Sequence, residues 1–236
     1  MKILCLDSAT ESATAAILDE DKLLGEITFN YKKQHSTIMM PMIDSLLKNT
    51  DLSIDDIDGF VVSKGPGSFT GLRIGMATIK GLAQPTEKPF ISISTLDALA
   101  NNLFFTGGII CPIMDALRGN VYTNFYRFNG DMLISMEESQ ILSLEDLIQK
   151  LKNYNEPIYF VGDGTYKFKQ VLLDNLSNVF FAPAHLNVVK ASSLGVLGMK
   201  LLKSGTKEDI FTSAPTYLRP SQAEREYEEK MRNSNG

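Results

Sequence analysis

Three short segments of the chain place glycines, hydroxyls and carboxylates at the ends of apolar runs, where backbone N–H groups could grip a phosphate. The most informative is Ser63-Lys64-Gly65-Pro66-Gly67-Ser68-Phe69-Thr70-Gly71-Leu72-Arg73-Ile74-Gly75. A strand through Phe60, Val61 and Val62 feeds a turn in which Gly65 and Gly67 reach backbone angles that a side chain forbids. A helix then starts at Ser68 or Thr70, either of which can cap it. Such a turn has two uses. Its N–H groups can face an anion, or its glycines can let the helix lie very close to a neighbour. Asp7-Ser8-Ala9-Thr10 follows another apolar strand. Those side chains could hold Mg²⁺ through water or bond a phosphate, and they could equally bond their own backbone in an ordinary turn. Gly162-Asp163-Gly164 reads as a second phosphate clip or as a strand-to-helix turn that needs flexible residues. Asp7, Ser8, Thr10, Gly162, Asp163 and Gly164 together make a candidate nucleotide cleft, vestigial in its reduced set of chemical groups. Asp115 and Arg118, in Asp115-Ala116-Leu117-Arg118-Gly119, could face a ligand there or belong to a solvated hairpin turn.

Other chemistries find little support. The two histidines, His35 and His185, have no H-x-x-x-H or H-E-x-x-H partner, and no cysteine pair has metal spacing. No metal and no cofactor is therefore expected. Cys5 and Cys111 each sit inside an apolar run and read as small buried hydrophobes rather than a disulfide, which fits a reducing compartment. The N-terminal apolar run is broken by Asp7, too early for a signal peptide. No run of about 18 apolar residues exists to span a membrane, so a cytoplasmic protein is expected. The net charge is −5, and the densest basic run, Tyr31-Lys32-Lys33, is short. A protein that holds nucleic acid alone normally shows a basic patch, so nucleic acid would reach this chain only through a complex.

These segments need a scaffold, and the periodicity supplies one. Strands are expected at 2–7, 13–18 and 23–31, a helix at 36–48, a strand at 60–63, a helix at 70–83, a strand at 90–93 and a short helix at 95–103. The pattern then begins again. Strands fall at 109–114, 121–128 and near 139–142, followed by a helix at 144–152, a strand at 158–161, a helix near 165–174, a strand at 179–181 and a helix at 191–203. Two related β-β-β-α-β-α units, the second abbreviated, predict an α/β protein with a cleft between its halves. The expected domains are 1–105 and 106–220, with a polar tail at 221–236. Helix 191–203 has the option of packing back on the first domain.

Two helices have unusual compositions. Helix 36–48 carries Ile38, Met39, Met40, Met42, Ile43, Leu46 and Leu47, a band broader than one core-facing stripe requires, and Pro41 is expected near its first turn. Helix 70–83 carries Gly71, Gly75 and Gly81, each costing about 1 kcal/mol of helix propensity relative to alanine. Glycines four apart flatten a helix face for close packing. Either both helices merely cover their own sheet, or Ile38, Met39, Met42, Ile43, Leu46, Gly71, Ile74, Gly75 and Thr78 form an intermolecular interface. On that reading a charged residue at Gly75 or Met39 would abolish pairing and leave the monomer folded.

With these segments in order, the chain resembles the bacterial TsaB (YeaZ) family along nearly its whole length. The glycine-rich motif carries most of the likeness. Leu6-Asp7-Ser8-Ala9-Thr10, His35-Ser36-Thr37, Met114-Asp115-Ala116-Leu117-Arg118-Gly119 and Pro215-Thr216-Tyr217-Leu218-Arg219 extend it. The resemblance implies an actin-like (ASKHA) fold and a role in threonylcarbamoyl modification of the adenosine next to the tRNA anticodon. It implies a non-catalytic subunit that pairs with the catalytic sister TsaD through its first two helices, with TsaE in a larger complex and a homodimer when alone. The sister's H-x-x-x-H motif aligns with Thr95 and Leu99, neither of which can replace an imidazole. A different class stays open beside it: an ATPase or phosphotransferase using the two glycine clips.

Overall fold

The computed structural model describes residues 1–31 and 34–219; Lys32, Lys33 and the expected 221–236 tail lie outside the described residues. Five strands form the first sheet: β1 (Lys2–Asp7), β2 (Ala13–Asp19), β3 (Lys22–Phe29), β4 (Gly59–Gly65) and β5 (Phe90–Ser94), in the order β3-β2-β1-β4-β5. β1, β4 and β5 run parallel, and β2 and β3 are antiparallel hairpin strands. The second sheet contains β6 (Ile109–Asp115), β7 (Asn120–Thr123), β10 (Gln140–Ser143), β11 (Ile158–Val161) and β12 (Val179–Phe181), in the order β10-β7-β6-β11-β12. Both sheets therefore follow the same path, 3-2-1-4-5 in units of their own strands, and the second uses shorter ones. A hairpin of β8 (Tyr126–Asn129) and β9 (Met132–Ser135) is inserted in the second sheet beside β6.

That hairpin corrects the continuous strand expected at 121–128. Asn124 ends β7 because its Oδ1 accepts the next backbone N–H, that of Phe125, at 2.7 Å, while its Nδ2 donates to Ser135 Oγ. A side chain bonded so locally competes with the ladder.

Among the described residues, six α-helices complete the layers: α1 (His35–Asn49), α2 (Phe69–Thr86), α3 (Thr95–Asn101), α4 (Leu144–Leu151), α5 (Gly164–Asn175) and α6 (Ala191–Lys203). β1 reads as an unbroken apolar run because both its faces are covered. Leu4 and Leu6 meet α1 and α2, whereas Ile3 and Cys5 meet α6. β6 is split the same way, with Ile109, Cys111 and Ile113 under α4 and α5 and with Ile110 and Met114 facing the middle layer. The order of layers is thus α1/α2, first sheet, α3/α6, second sheet, α4/α5. α6 lies on the first sheet so closely that a methyl at Gly198 would meet Val61 at 2.5 Å. Its start is held by Glu26 of β3, whose Oε1 accepts both Ser192 N–H and Ser192 Oγ–H at 2.9 Å. Pro41 sits in the second turn of α1 rather than near its start. The Thr37 carbonyl it leaves without a helix donor lies on the exposed side, where water can serve it.

Candidate functional site

The two glycine-bearing turns, after β4 and after β11, lie where strands end and helices begin, and with the glycine-free hairpin turn after β1 they border a cleft of about 960 Å³ between the sheets. Ser68 caps α2, its Oγ accepting Gly71 N–H at 3.3 Å. The turn after β1 lies directly against this helix start. Ser68 N–H donates to the Ala9 carbonyl at 2.7 Å, and Ser8 Oγ donates to the Gly71 carbonyl at 2.8 Å. A methyl group at Gly67 would overlap the Ala9 carbonyl, one at Gly71 the Ser8 carbonyl, and one at Gly75 would stand 2.6 Å from Ser8 Oγ. Of the two uses open to the glycine-rich turn, close packing is the one realised. The neighbour is the chain's own first hairpin.

Asp7 and Ser8 are wholly buried under this contact and do not line the cleft. Asp7 Oδ1 accepts Ala9 N–H at 3.3 Å; Oδ2 has no hydrogen-bond partner among the described residues. Burial pushes the Asp7 carboxyl up to about 6. Thr10 does line the cleft, but its Oγ1 is bonded to Ser12.

The second clip is filled in the same manner. Methyls at Gly162 and Gly164 would both run into the Ile113 carbonyl. Gly162 N–H is taken by Asn187 Oδ1 at 3.0 Å. Asp163 faces the cleft and accepts Asp115 N–H at 3.1 Å. Burial raises its pKa, and the charges of Asp115 and Glu11 raise it further. Asp115 accepts Leu117 N–H at 2.9 Å and pairs with Lys167 at 2.9 Å, whereas Arg118 is exposed at the tip of its turn.

The glycine gaps hold the chain's own carbonyls, Ser68 N–H and Gly162 N–H are already bonded, and Glu11, Asp115 and Asp163 line the cleft. At the positions matching the sister's imidazoles, Thr95 and Leu99 are buried, and Leu99 packs toward Gly162. Among the described residues, no group of three or more His, Cys, Asp and Glu could hold a metal ion. No helix among them is long and apolar enough to cross a membrane.

The interface residues expected on the first two helices need correction. Met39, Met42, Ile43, Leu46, Gly71 and Gly75 are buried within the chain itself, on the first sheet and against Ser8. Charge at Met39 or Gly75 would disrupt this core rather than a surface. Ile38, Ile74 and Thr78 are half-exposed; exposed residues include Met40, Pro41 and Asp44 on α1 and Thr70, Arg73, Ala77 and Gly81 on α2. A methyl at Gly81 would meet nothing within 4 Å among the described residues.

Sequence reasoning gave no structural role to residues 207–219. They run back along the first sheet instead of staying with the second, and Tyr217 and Arg219 line the cleft mouth. The segment has no periodicity to read; its signals were the aromatic and arginine residues at 217 and 219.

Two sheets of order 3-2-1-4-5, related across a cleft and clamped between helix layers, define the actin-like (ASKHA) class of fold. The same fold is seen in YeaZ from Pseudomonas aeruginosa, which superposes with a TM-score of 0.79 over 92% of this chain and 99% of that one, at 21% identity. The family model for TsaD, described as tRNA N6-adenosine threonylcarbamoyltransferase, matches residues 22–227. The tRNA threonylcarbamoyladenosine biosynthesis protein TsaB of Bacillus subtilis is 35% identical over 98% of this chain and 100% of its own length. Its Escherichia coli namesake is 26% identical over 93% and 95%. The chain belongs to the TsaB family.

Proposed function

We propose that this chain is a non-catalytic subunit for threonylcarbamoyl modification of the adenosine beside the tRNA anticodon, working in the cytoplasm. It pairs with the catalytic subunit TsaD through the outward faces of α1 and α2, within an assembly that also includes TsaE. Alone it pairs with a second copy through the same faces. tRNA is held by the assembly rather than by this acidic chain. The family supports the pathway. The observation that carries the subunit role is the division of α2 into two faces. Gly71 and Gly75 are consumed in packing on Ser8, while Ala77 and Gly81 leave small residues exposed on the opposite face of α2, and Met40 and Pro41 are exposed on α1. A glycine in a helix interior costs stability, and among the described residues Gly81 has no neighbour that would need it.

The reading as an ATPase or phosphotransferase is opposed by the filled glycine gaps and the acidic cleft. Threonylcarbamoyl transfer to tRNA should be measured with TsaD and TsaE, with this chain alone, and with all three. Modification is expected only when TsaD is present, and at full rate only when this chain is added. Transfer by this chain alone, or ATP turnover by it alone, would overturn the proposal.

A further inference from the structure

Residues 207–219 have no regular secondary structure, yet they are tied by hydrogen bonds to β5, α2, the glycine-rich segment and the 115–120 turn. At one end, Glu208 N–H donates to the Phe90 carbonyl at 3.0 Å, along β5, the outer strand of the first sheet. The Glu208 carboxylate accepts Ser92 N–H at 2.8 Å and Ser92 Oγ–H at 2.7 Å. Further along, Lys80 of α2 donates to the Ser213 carbonyl at 2.6 Å. Thr216 N–H then donates to the Lys64 carbonyl at 2.7 Å, in the glycine-rich turn itself. Gly65, at φ +111°, has no room for a side chain there, since a methyl would come within 2.5 Å of the Thr216 carbonyl.

The next residues join this turn to the other half of the molecule. The Tyr217 ring packs on Phe69 with centroids 4.7 Å apart, and its hydroxyl accepts Arg73 Nε–H at 3.0 Å. The Arg73 guanidinium lies 3.9 Å from the Phe69 ring centroid, close enough for a cation–π contact. Two residues later, Arg219 Nη1 donates to the Ala116 carbonyl in the turn between β6 and β7. That turn is also held by its own bonds, Ala116 N–H to the Asn120 carbonyl at 3.0 Å, Asn120 N–H to the Leu117 carbonyl at 3.1 Å and Leu117 N–H to Asp115 Oδ1, and by neighbours within the second half: Asp163 and Lys167 on Asp115, and Leu144 N–H on the Gly119 carbonyl.

We propose that residues 207–219 are a latch across the mouth of the cleft, which couples the start of α2 in the first half to the 115–120 turn in the second. The start of α2 and the 115–120 turn are bridged through Tyr217 and Arg219. These two are separated by a single residue, so loosening one end of the segment releases the other. Coupling of this kind must be reciprocal: a change at the α2 end alters the turn, and a change at the turn alters the α2 end by the same factor.

Amide hydrogen exchange on the full chain tests this with two exposed or half-exposed arginines. Arg73→Ala removes the anchor on α2, and Arg219→Ala removes the anchor on the turn. Arg73→Ala is expected to speed exchange about tenfold at 115–120, where it makes no contact. Arg219→Ala is expected to do the same at 65–72, about what losing one charge-assisted hydrogen bond does to a local opening. Exchange in β1 and β4 should stay as in the parent. Faster exchange confined to the mutated side, in either variant, would overturn the latch. A rise that also covers β1 and β4 would overturn it too, because the segment would then support the whole fold rather than link two turns.

Discussion

Asp7 closes the first strand with a carboxylate that solvent does not reach, and its buried state has a measurable sign. The carboxyl is pushed up to about 6 in the folded chain, against 3.8 for an unperturbed aspartate. Between those values the folded state binds the proton and the unfolded state does not, so stability falls as pH rises from about 4 through 6. The cost above that window is about 3 kcal/mol at 1.36 kcal/mol per unit. Asp7→Asn keeps an oxygen for Ala9 N–H and removes the charge. Urea unfolding at pH 7.5 is expected to show this variant about 1–3 kcal/mol more stable than the parent, with the gap shrinking toward pH 4.5. Asp97 and Asp163 are also raised by burial and add slope of the same sign, but they are common to both proteins and cancel in the difference. A variant less stable than the parent at pH 7.5 would show that Asp7 is held as an anion by something the fold supplies.

At the scale of the element, α2 separates its glycines by what they meet. Gly75→Ala gains about 1 kcal/mol of helix propensity, but the new methyl stands 2.6 Å from Ser8 Oγ, an overlap that costs about 1–3 kcal/mol or more in a packed core. Gly81→Ala gains the same propensity and meets open space. Thermal melts should therefore move in opposite directions, down for Gly75→Ala and up for Gly81→Ala; equal shifts would contradict the assignment of faces.

The helices themselves were legible in the sequence, but the core stripe of α1 was not: Met39, Met42, Ile43 and Leu46, at i, i+3, i+4 and i+7, were expected in an interface and are buried on the first sheet instead. What could not be read was where the surplus apolar residues pointed, because a glycine four residues from another says only that something is close. The partner of Gly71 and Gly75 is Ser8, more than sixty positions away in the chain. The hairpin at 126–135 was also hidden, since alternation runs through Asn124 without showing its bond to Phe125 N–H.

For the whole molecule, the repeated order of elements was visible in the sequence because each half spells out three strands and then alternates helices with strands, whereas the 3-2-1-4-5 path of each sheet is seen only in the structure. The middle layer was harder to foresee. α3 and α6 belong to the same apolar cluster as Ile3 and Val61 of the first sheet and Ile110 and Val161 of the second. Asp97 of α3 accepts the Tyr126 hydroxyl at 2.7 Å from β8. The halves are thus joined at the back by a shared core and at the front by residues 207–219, with the cleft between them lined partly by carboxylates. Pairing through the outward α1 and α2 faces is the central proposal. The most direct measurement is isothermal titration of TsaD with the parent chain and with Ala77→Glu. Ala77 is exposed on α2, so the variant should melt as the parent does. A buried unpaired charge at the centre of a docked interface should weaken binding by at least about a hundredfold. Unchanged affinity in a folded Ala77→Glu variant would contradict pairing through this face.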